Sequence, residues 1–464
     1  MRERARIQSG RAVVVAMAIL SLLLVAAIMQ PVDRRPPVSA VDAVELAEQM
    51  DIDPTELITT SLPQRYHSLP PDLAADMAAD DPGLALTLNE RAPLATSSVP
   101  AEAGLARLMS GEMDAVTVDE VFAQLPNDLV EWLAVLFPSA VGNLEGAPID
   151  VRINANAIRL AASVAASRSW PSPPRPWTQG DREPRPDFQR VIDGGHRLVY
   201  FDPLANRGQG AWAELVGDLD TASHVGVLVP GGSAFVSSDN FTRYSGRAAS
   251  FVSAAEGELA MVVWAGSPFP SGWIQESTPS WAQDAAIELT AFTADLRHRL
   301  PAHVSLTVAG HSYGGAVVGL AETYDLDADR VLHLASAGAG YGVWSPHDYA
   351  SPCRERYDLM APGDPIGYVQ NIPDATGLGH GIRVSSMPGV KRLVTGRLPD
   401  DPDALDDVNR TLGSMGITGK EIGGVHAHSE IFIPDSDAWR SMLTVFTMGE
   451  PTLLSEQPPS LPDC

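Results

Sequence analysis

Residues 303–320, HVSLTVAGHSYGGAVVGL, contain three local signals in succession. The apolar run at 303–309, rich in β-branched residues, predicts a buried strand, and the small and apolar residues after Gly315 predict a helix. Between them stands Gly-His-Ser-Tyr-Gly at 310–314, where two glycines permit a sharp turn. The stretch therefore predicts a strand, a tight turn and a helix, with Ser312 held out at the turn.

The rest of the second half of the chain predicts a sheet around this stretch. Short apolar runs rich in β-branched residues alternate with helical stretches such as 280–300, and they lie at 196–203, 224–232, 258–266, 303–310, 329–338 and 355–364. Runs that are apolar on both faces and alternate with helices are typical of a mostly parallel sheet covered by helices on both faces. We therefore predict an α/β fold, in which ligands bind beyond the carboxyl ends of the strands.

Candidate partners of Ser312 lie downstream of it. A serine hydroxyl is a poor nucleophile at neutral pH, so a base and a carboxylate are required. Asp364 stands just past an apolar run, on a Gly-Asp-Pro loop where a carboxylate can reach a histidine, and His426 and His428 follow in the expected order Ser, Asp, His. We predict a catalytic triad of Ser312, Asp364 and His428, with His426 as the alternative base.

Donors for a developing oxyanion are expected on both sides of Ser312. The backbone N–H of Tyr313, at the start of the predicted helix, faces that position, and the helix dipole adds positive potential. The second donor is expected in the loop VPGGSAF at 229–235, from Gly231, Gly232 or Ser233. A tight turn that requires glycine would explain Gly231 and Gly232 equally well, and the two explanations are compatible.

Several sequence blocks resemble an actinobacterial α/β-hydrolase family that was formerly classed as a domain of unknown function. They are FPSAVGNLEGAPIDVRINANAIRL (137–160), LVGDLDTASHVGVLVPGG (215–232), VSLTVAGHSYGG (304–315), APGDPIGYV (361–369) and HAHSEIF (426–432). The resemblance covers roughly residues 130–435 and implies an α/β-hydrolase fold with Ser312, Asp364 and His428 at its triad positions. That family has an aromatic residue where Ile431 stands here, with Phe432 one position later, so His426 stays open.

The chain divides into five predicted segments. They are a signal or anchor segment (1–40), a helical N-terminal region (41–168), a Pro-rich linker (169–190), the catalytic domain (191–450) and a C-terminal tail (451–464). In the helical region, Asp150 is the predicted cap of a helix. Four polar residues are expected to fasten a helical layer onto the sheet by capping and hydrogen bonding, namely Asn143, Glu145, Asn154 and Asn156.

The N-terminal segment predicts export. Basic residues precede eighteen residues, 12–29, of which only Ser21 is polar, enough for a helix of about 27 Å. We favour an uncleaved single-pass anchor with the rest of the chain outside the cell. A cleaved signal, with cutting near 38–40 and secretion, is the alternative.

Charge, motif content and cysteine content limit the classes of partner, cofactor and disulfide that we expect. The net charge is −26, and removing the +4 of residues 1–40 leaves about −30 on the remainder, which disfavours nucleic acid and anionic lipid. No metal-binding motif is present, so we predict no metal and no cofactor. Cys353 and Cys464, the two cysteines, could form one disulfide or remain free.

Taken together, these features predict an exported or membrane-anchored serine hydrolase that cleaves carboxylic esters of small molecules or lipids through an acyl-enzyme. An acyltransferase, which would exclude water from deacylation, is one alternative. The other is an inactive envelope protein that keeps the fold and acts by binding. The sequence does not indicate the oligomeric state.

Overall fold

The computed structural model describes residues 113–125, 130, 133–134, 138–167, 186–373, 377–400, 419–462 and 464. Residues up to Pro203 and residues from Leu204 onward form two compact units. The predicted anchor at 12–29 and most of the predicted helical region lie outside the described residues. Within the described ranges, no helix has the length and apolar character that crossing a membrane requires.

The first unit has a helix-rich layer and one strand among its described residues. Its elements are α1 (Ala115–Gln124), α2 (Pro138–Val141), α3 (Ile149–Ser167), α4 (Gln189–Asp193) and β1 (Leu198–Asp202). Helix α3 begins at Ile149, so Asp150 lies in its first turn rather than at the cap position. Asn143 fastens this layer to β1, accepting a hydrogen bond from Phe201 N–H at 2.9 Å and donating one to Phe201 O at 3.2 Å. Asn156 does the same by donating to the carbonyl oxygen of Leu198 at 3.2 Å.

The second unit contains an alternation of strands and helices. Its helices are α5 (Ala205–Gly208), α6 (Asp239–Ala254), α7 (Trp273–Glu276), α8 (Ser280–Arg299), α9 (Tyr313–Ala321), α10 (Ala427–Glu430) and α11 (Asp437–Phe446). Its strands are β2 (Ala211–Val216), β3 (His224–Val229), β4 (Leu259–Ala265), β5 (Ser305–His311), β6 (Arg330–Leu334), β7 (Glu355–Leu359) and β8 (Val390–Arg392).

These seven strands form a sheet in the order β2-β4-β3-β5-β6-β7-β8. Strand β2 is antiparallel to β4, and every other neighbouring pair is parallel. Parallel strands whose side chains are buried on both faces need a layer of helices on each side. Helices α8 and α9 pack together, and α6 packs on α11 through stacked rings of Phe251 and Trp439 with centroids 5.1 Å apart. The predicted mostly parallel α/β architecture is confirmed.

The carboxyl ends of the parallel strands gather the predicted site. Ser312 follows β5, Asp364 follows β7, and the Gly231–Ser233 loop follows β3. Strands β3 and β5 are hydrogen-bonded neighbours, so the loop and the serine emerge side by side. The sheet therefore supplies a rigid base for residues that lie far apart in the sequence.

A disulfide joins Cys353 to Cys464, with Cα atoms 5.4 Å apart across a sequence separation of 111 residues. It connects the segment before β7 to the C-terminal residue. The sequence leaves this pairing open, because two cysteines that far apart show nothing of their separation in space. The bond closes a loop of the chain that contains β7, β8, α10 and α11.

Candidate active site

The turn at Ser312 has the strained geometry of a nucleophile elbow. Ser312 has φ of 57° and ψ of −123°, a backbone region that residues other than glycine rarely adopt. A Cβ on Gly310 would overlap the carbonyl oxygen of Gly314, so the turn needs glycine at this close approach. The Ser312 backbone is fixed on both sides, because its N–H donates to Leu334 O at 2.9 Å and its C=O accepts from Ala337 N–H at 2.9 Å.

Asp364 and His428 form a hydrogen-bonded pair. His428 Nδ1 lies 3.0 Å and 3.1 Å from the two carboxylate oxygens of Asp364, and the side chains are 28% and 1% exposed. Asp364 is itself held by the N–H of Ile366, which donates to Oδ1 at 2.9 Å. Because a carboxylate can only accept, Nδ1 carries the proton and Nε2 is left as a proton acceptor.

His428 lies beside the nucleophile turn. Its ring centroid is 4.7 Å from that of His311, the residue before Ser312. No hydrogen bond joins Ser312 Oγ to a side chain among the described residues. Such catalytic bonds commonly tighten only when substrate is bound.

The two candidate bases occupy different environments. His426 is exposed, precedes α10, and its side chain makes no hydrogen bond within the part of the chain that the structure describes. His428 lies two residues further, on the turn of α10 that faces Asp364. Positions two apart on a helix point in nearly opposite directions, so only one of the two histidines can meet Asp364.

The loop after β3 packs directly against the nucleophile. A Cβ added to Gly231 would lie 3.1 Å from Ser312 Cβ. The N–H of Gly231 already donates to Tyr244 Oη at 2.9 Å, and the N–H of Ser233 donates to Pro270 O at 2.8 Å. Ser233 therefore does not fit its predicted role as a donor in this conformation, because the chain turns its N–H away toward the loop after β4.

Two of the predicted oxyanion donors keep an unoccupied backbone N–H among the described residues. Neither Gly232 N–H nor Tyr313 N–H has a hydrogen-bond partner among the described residues. Tyr313 is the first residue of α9, where backbone N–H groups have no partner within the helix. Gly232 and Tyr313 therefore stay as the predicted oxyanion donors.

A second carboxyl group, which the sequence does not single out, lies at this loop. A Cβ on Gly232 would overlap Glu276 Oε1, so the Glu276 carboxyl packs against the predicted oxyanion donor. Burial raises the pKa of Glu276, while a hydrogen bond from Gly272 N–H and the charge of His428 act in the opposite direction. In the sequence, Glu276 is marked only by its position in the long connection after β4. The Gly-x-Ser-x-Gly motif does not indicate that this connection reaches the site.

Residues 205–372 match an α/β-hydrolase family model. This match, together with the sheet, shows the α/β-hydrolase fold and supports a hydrolase. The matched segment contains Ser312 and Asp364 and ends before His428. The narrower resemblance to an actinobacterial family stays a prediction. No curated protein sequence matches the chain significantly.

Three hydrolases are among the solved structures to which this chain is similar. A serine hydrolase without a lid from Xanthomonas campestris is 16% identical, with 42% of this chain and 83% of that chain covered and a TM-score of 0.26. A dienelactone hydrolase-like promiscuous phosphotriesterase from metagenomic libraries is 15% identical (52% and 92% covered, TM-score 0.29). A lipase/esterase from Lactobacillus plantarum is 14% identical (36% and 76% covered, TM-score 0.23). At these identities and scores the three structures add nothing to the assignment of function.

Proposed function

We propose that this protein is a serine hydrolase that cleaves carboxylic esters through an acyl-enzyme, with Ser312 as nucleophile, His428 as base and Asp364 as the carboxylate. The observation that carries the proposal is the buried carboxylate of Asp364, hydrogen-bonded to Nδ1 of His428 beside the strained turn of Ser312. The Asp364 carboxylate fixes the tautomer in which Nε2 accepts a proton. An isolated glycine-rich turn would not need such a pair.

The arrangement supports acyl transfer in two halves. Ser312 Oγ attacks the ester carbonyl carbon while His428 Nε2 takes the hydroxyl proton, and the N–H groups of Gly232 and Tyr313 hold the resulting oxyanion. The C–O bond then breaks, and His428 gives its proton to the departing alcohol. In the second half water attacks the acyl-Ser312, His428 takes the water's proton, and the acid leaves as Ser312 recovers its proton.

We place the enzyme outside the cytoplasm, anchored by residues 12–29. The disulfide between Cys353 and Cys464 supports this location, because such bonds persist in oxidising compartments. Fractionation of cells that express the full chain tests it: the protein should stay with the membrane and should be cut by protease added outside. Release of a shorter soluble protein would instead indicate signal cleavage and secretion.

The experiment for the activity is labelling of the full chain, in detergent, with a fluorophosphonate that phosphonylates activated serines. Variants Ser312→Ala and His428→Ala should lose labelling. His426→Ala is the matched control, since it removes an exposed imidazole two residues away and should label like wild type. Hydrolysis of p-nitrophenyl acetate and butyrate should follow the same pattern.

Three outcomes would change the proposal. Labelling that survives Ser312→Ala would put the nucleophile elsewhere. A folded wild type that neither labels nor hydrolyses either ester would favour the inactive binding protein. Transfer of the acyl group to an added alcohol in preference to water would make the enzyme an acyltransferase with the same triad.

A further inference from the structure

A second histidine is buried behind the proposed triad. His311 ends β5 immediately before Ser312 and is 3% exposed. Its Nε2 lies 2.9 Å from the backbone oxygen of His428, and its Nδ1 lies 2.5 Å from the hydroxyl of Tyr244. His311 takes no part in the proton transfers described above, yet it contacts the base, and the chain joins it to the nucleophile.

Counting donors and acceptors fixes the direction of every bond in this cluster. The backbone oxygen of His428 can only accept, so His311 Nε2 carries a proton. Nδ1 of a neutral imidazole is then an acceptor, and the hydroxyl of Tyr244 donates a hydrogen bond to it. The Tyr244 oxygen in turn accepts from the N–H of Gly231 at 2.9 Å. The chain of donation runs from Gly231 through Tyr244 and His311 to His428.

The surroundings keep this chain in one state. Burial lowers the pKa of His311 well below its ordinary value, and the nearby charges of His428 and Arg247 act in the same direction, so the ring stays neutral as the bond pattern requires. The guanidinium of Arg247 lies over the Tyr244 ring at 4.6 Å and over the Phe432 ring at 3.9 Å. Phe432 meets His311 edge-on with centroids 4.9 Å apart. The rings therefore have little freedom to reorient.

We propose that Tyr244 and His311 are positioning residues for ester hydrolysis. They tie the oxyanion loop after β3 and the base-bearing helix α10 to the end of β5, where Ser312 stands. By occupying the N–H of Gly231, Tyr244 also fixes the loop orientation in which the next N–H, that of Gly232, stays free for the substrate oxygen. This inference rests on the proposed function, since it assigns the two residues to the same site.

The test compares two variants that interrupt this series of hydrogen bonds at different residues. Tyr244→Phe removes the hydroxyl between Gly231 and His311. His311→Asn can keep an acceptor near the place of Nδ1 but loses the donor to His428. The matched control is Tyr349→Phe, because the Tyr349 hydroxyl is also buried and donates to a backbone oxygen, that of Ala339 at 3.1 Å, away from the site.

Steady-state kinetics on p-nitrophenyl butyrate should separate positioning from stability. We expect Tyr244→Phe and His311→Asn to lower kcat by about 100-fold with KM nearly unchanged, since misplacement of catalytic groups by about 1 Å has that effect. Tyr349→Phe should lower the Tm about as much as Tyr244→Phe does, because both lose one buried hydroxyl, and its kcat should stay within about twofold of the wild-type value. In the double variant Tyr244→Phe/His311→Asn, kcat should fall little further than in the worse single variant, because both act through one chain.

Two results would overturn the inference. The first is a Tyr244→Phe variant whose kcat matches that of Tyr349→Phe, and the second is multiplicative losses in the double variant; in both cases the cluster would be only part of the core. If instead wild type shows no Ser312-dependent hydrolysis or labelling, the proposed function itself fails, and the positioning role fails with it. The Ser312→Ala measurement distinguishes these cases.

Discussion

Substituting Asp364 with Asn should nearly abolish catalysis while leaving the fold intact. In the proposed mechanism His428 takes the serine proton and becomes an imidazolium, 3.0 Å from the Asp364 carboxylate. With an effective dielectric constant of about 20, two unit charges at that distance attract by about 5.5 kcal/mol. An amide carries no net charge and also favours the wrong tautomer of His428. Since each factor of ten in rate is about 1.4 kcal/mol, kcat should fall by about 10⁴-fold.

The assay is the rate constant of fluorophosphonate labelling together with kcat for p-nitrophenyl butyrate. Asp348→Asn is the control, because the Asp348 carboxylate also accepts backbone N–H bonds, from Trp344 and Ser345 at 2.8 Å, but contacts no proposed catalytic residue. Both variants should keep the wild-type circular dichroism spectrum. A kcat for Asp364→Asn within tenfold of wild type would refute the pairing of Asp364 with His428 as the source of activation.

Other perturbations test the surrounding chemistry. Glu276→Gln should raise kcat several-fold at pH 8, because an ionised Glu276 beside Gly232 would repel the proposed oxyanion. The gain should shrink toward pH 5, where Glu276 of the wild type becomes protonated. A pH profile in which the variant is slower than wild type at every pH would contradict this. Burial raises the pKa of Asp358 from 3.8 to about 6, so the folded state favours its neutral form and stability should decline as the pH rises from about 4 to about 6. Asp358→Asn should therefore increase the free energy of unfolding at pH 8, on the order of 3 kcal/mol, and leave it unchanged near pH 4; an equal effect at both pH values would exclude titration as the cause. Cys464→Ser should lower the free energy of unfolding by about 2–5 kcal/mol in urea, as should reduction of the wild type, and a variant as stable as wild type would contradict the role of the disulfide.

Much of the sheet could be predicted from local pattern, and the exceptions have a physical cause. Strands β3 to β7 are apolar runs and were predicted. Strand β2 was not predicted, because Glu214 in its middle interrupts the apolar pattern. The Glu214 side chain is buried and accepts a hydrogen bond from Ser245 Oγ at 3.1 Å, and Ser245 lies 31 residues away in the sequence. Strand β8 has three residues, and its Lys391 pairs with Glu355 on β7. Partners brought together by folding make charged residues acceptable in strands, and local pattern does not contain them.

The site was predictable to the level of residue types and order. The order Ser, Asp, His follows from the elbow, which gives Ser312, Asp364 and a histidine. The choice between His426 and His428 depends on the direction of a four-residue helix, which spacing alone leaves open. Likewise, the loss of Ser233 as a donor depends on a bond to Pro270, in another loop. Contacts between segments far apart in the sequence decide which histidine meets Asp364 and where the Ser233 N–H points. Local sequence patterns do not predict such contacts.

The disulfide has a consequence for the covalent topology of the molecule. Cys353 and Cys464 close a ring of chain that includes both Asp364 and His428, whereas Ser312 lies outside it. A single proteolytic cut anywhere inside the ring leaves Asp364 and His428 covalently attached to the chain that carries Ser312. Such a nicked molecule would run as one species on a gel without reductant and as two with it. Asp364 and His428 thus stay attached to Ser312 after a backbone break that, without the disulfide, would separate one or both of them from it.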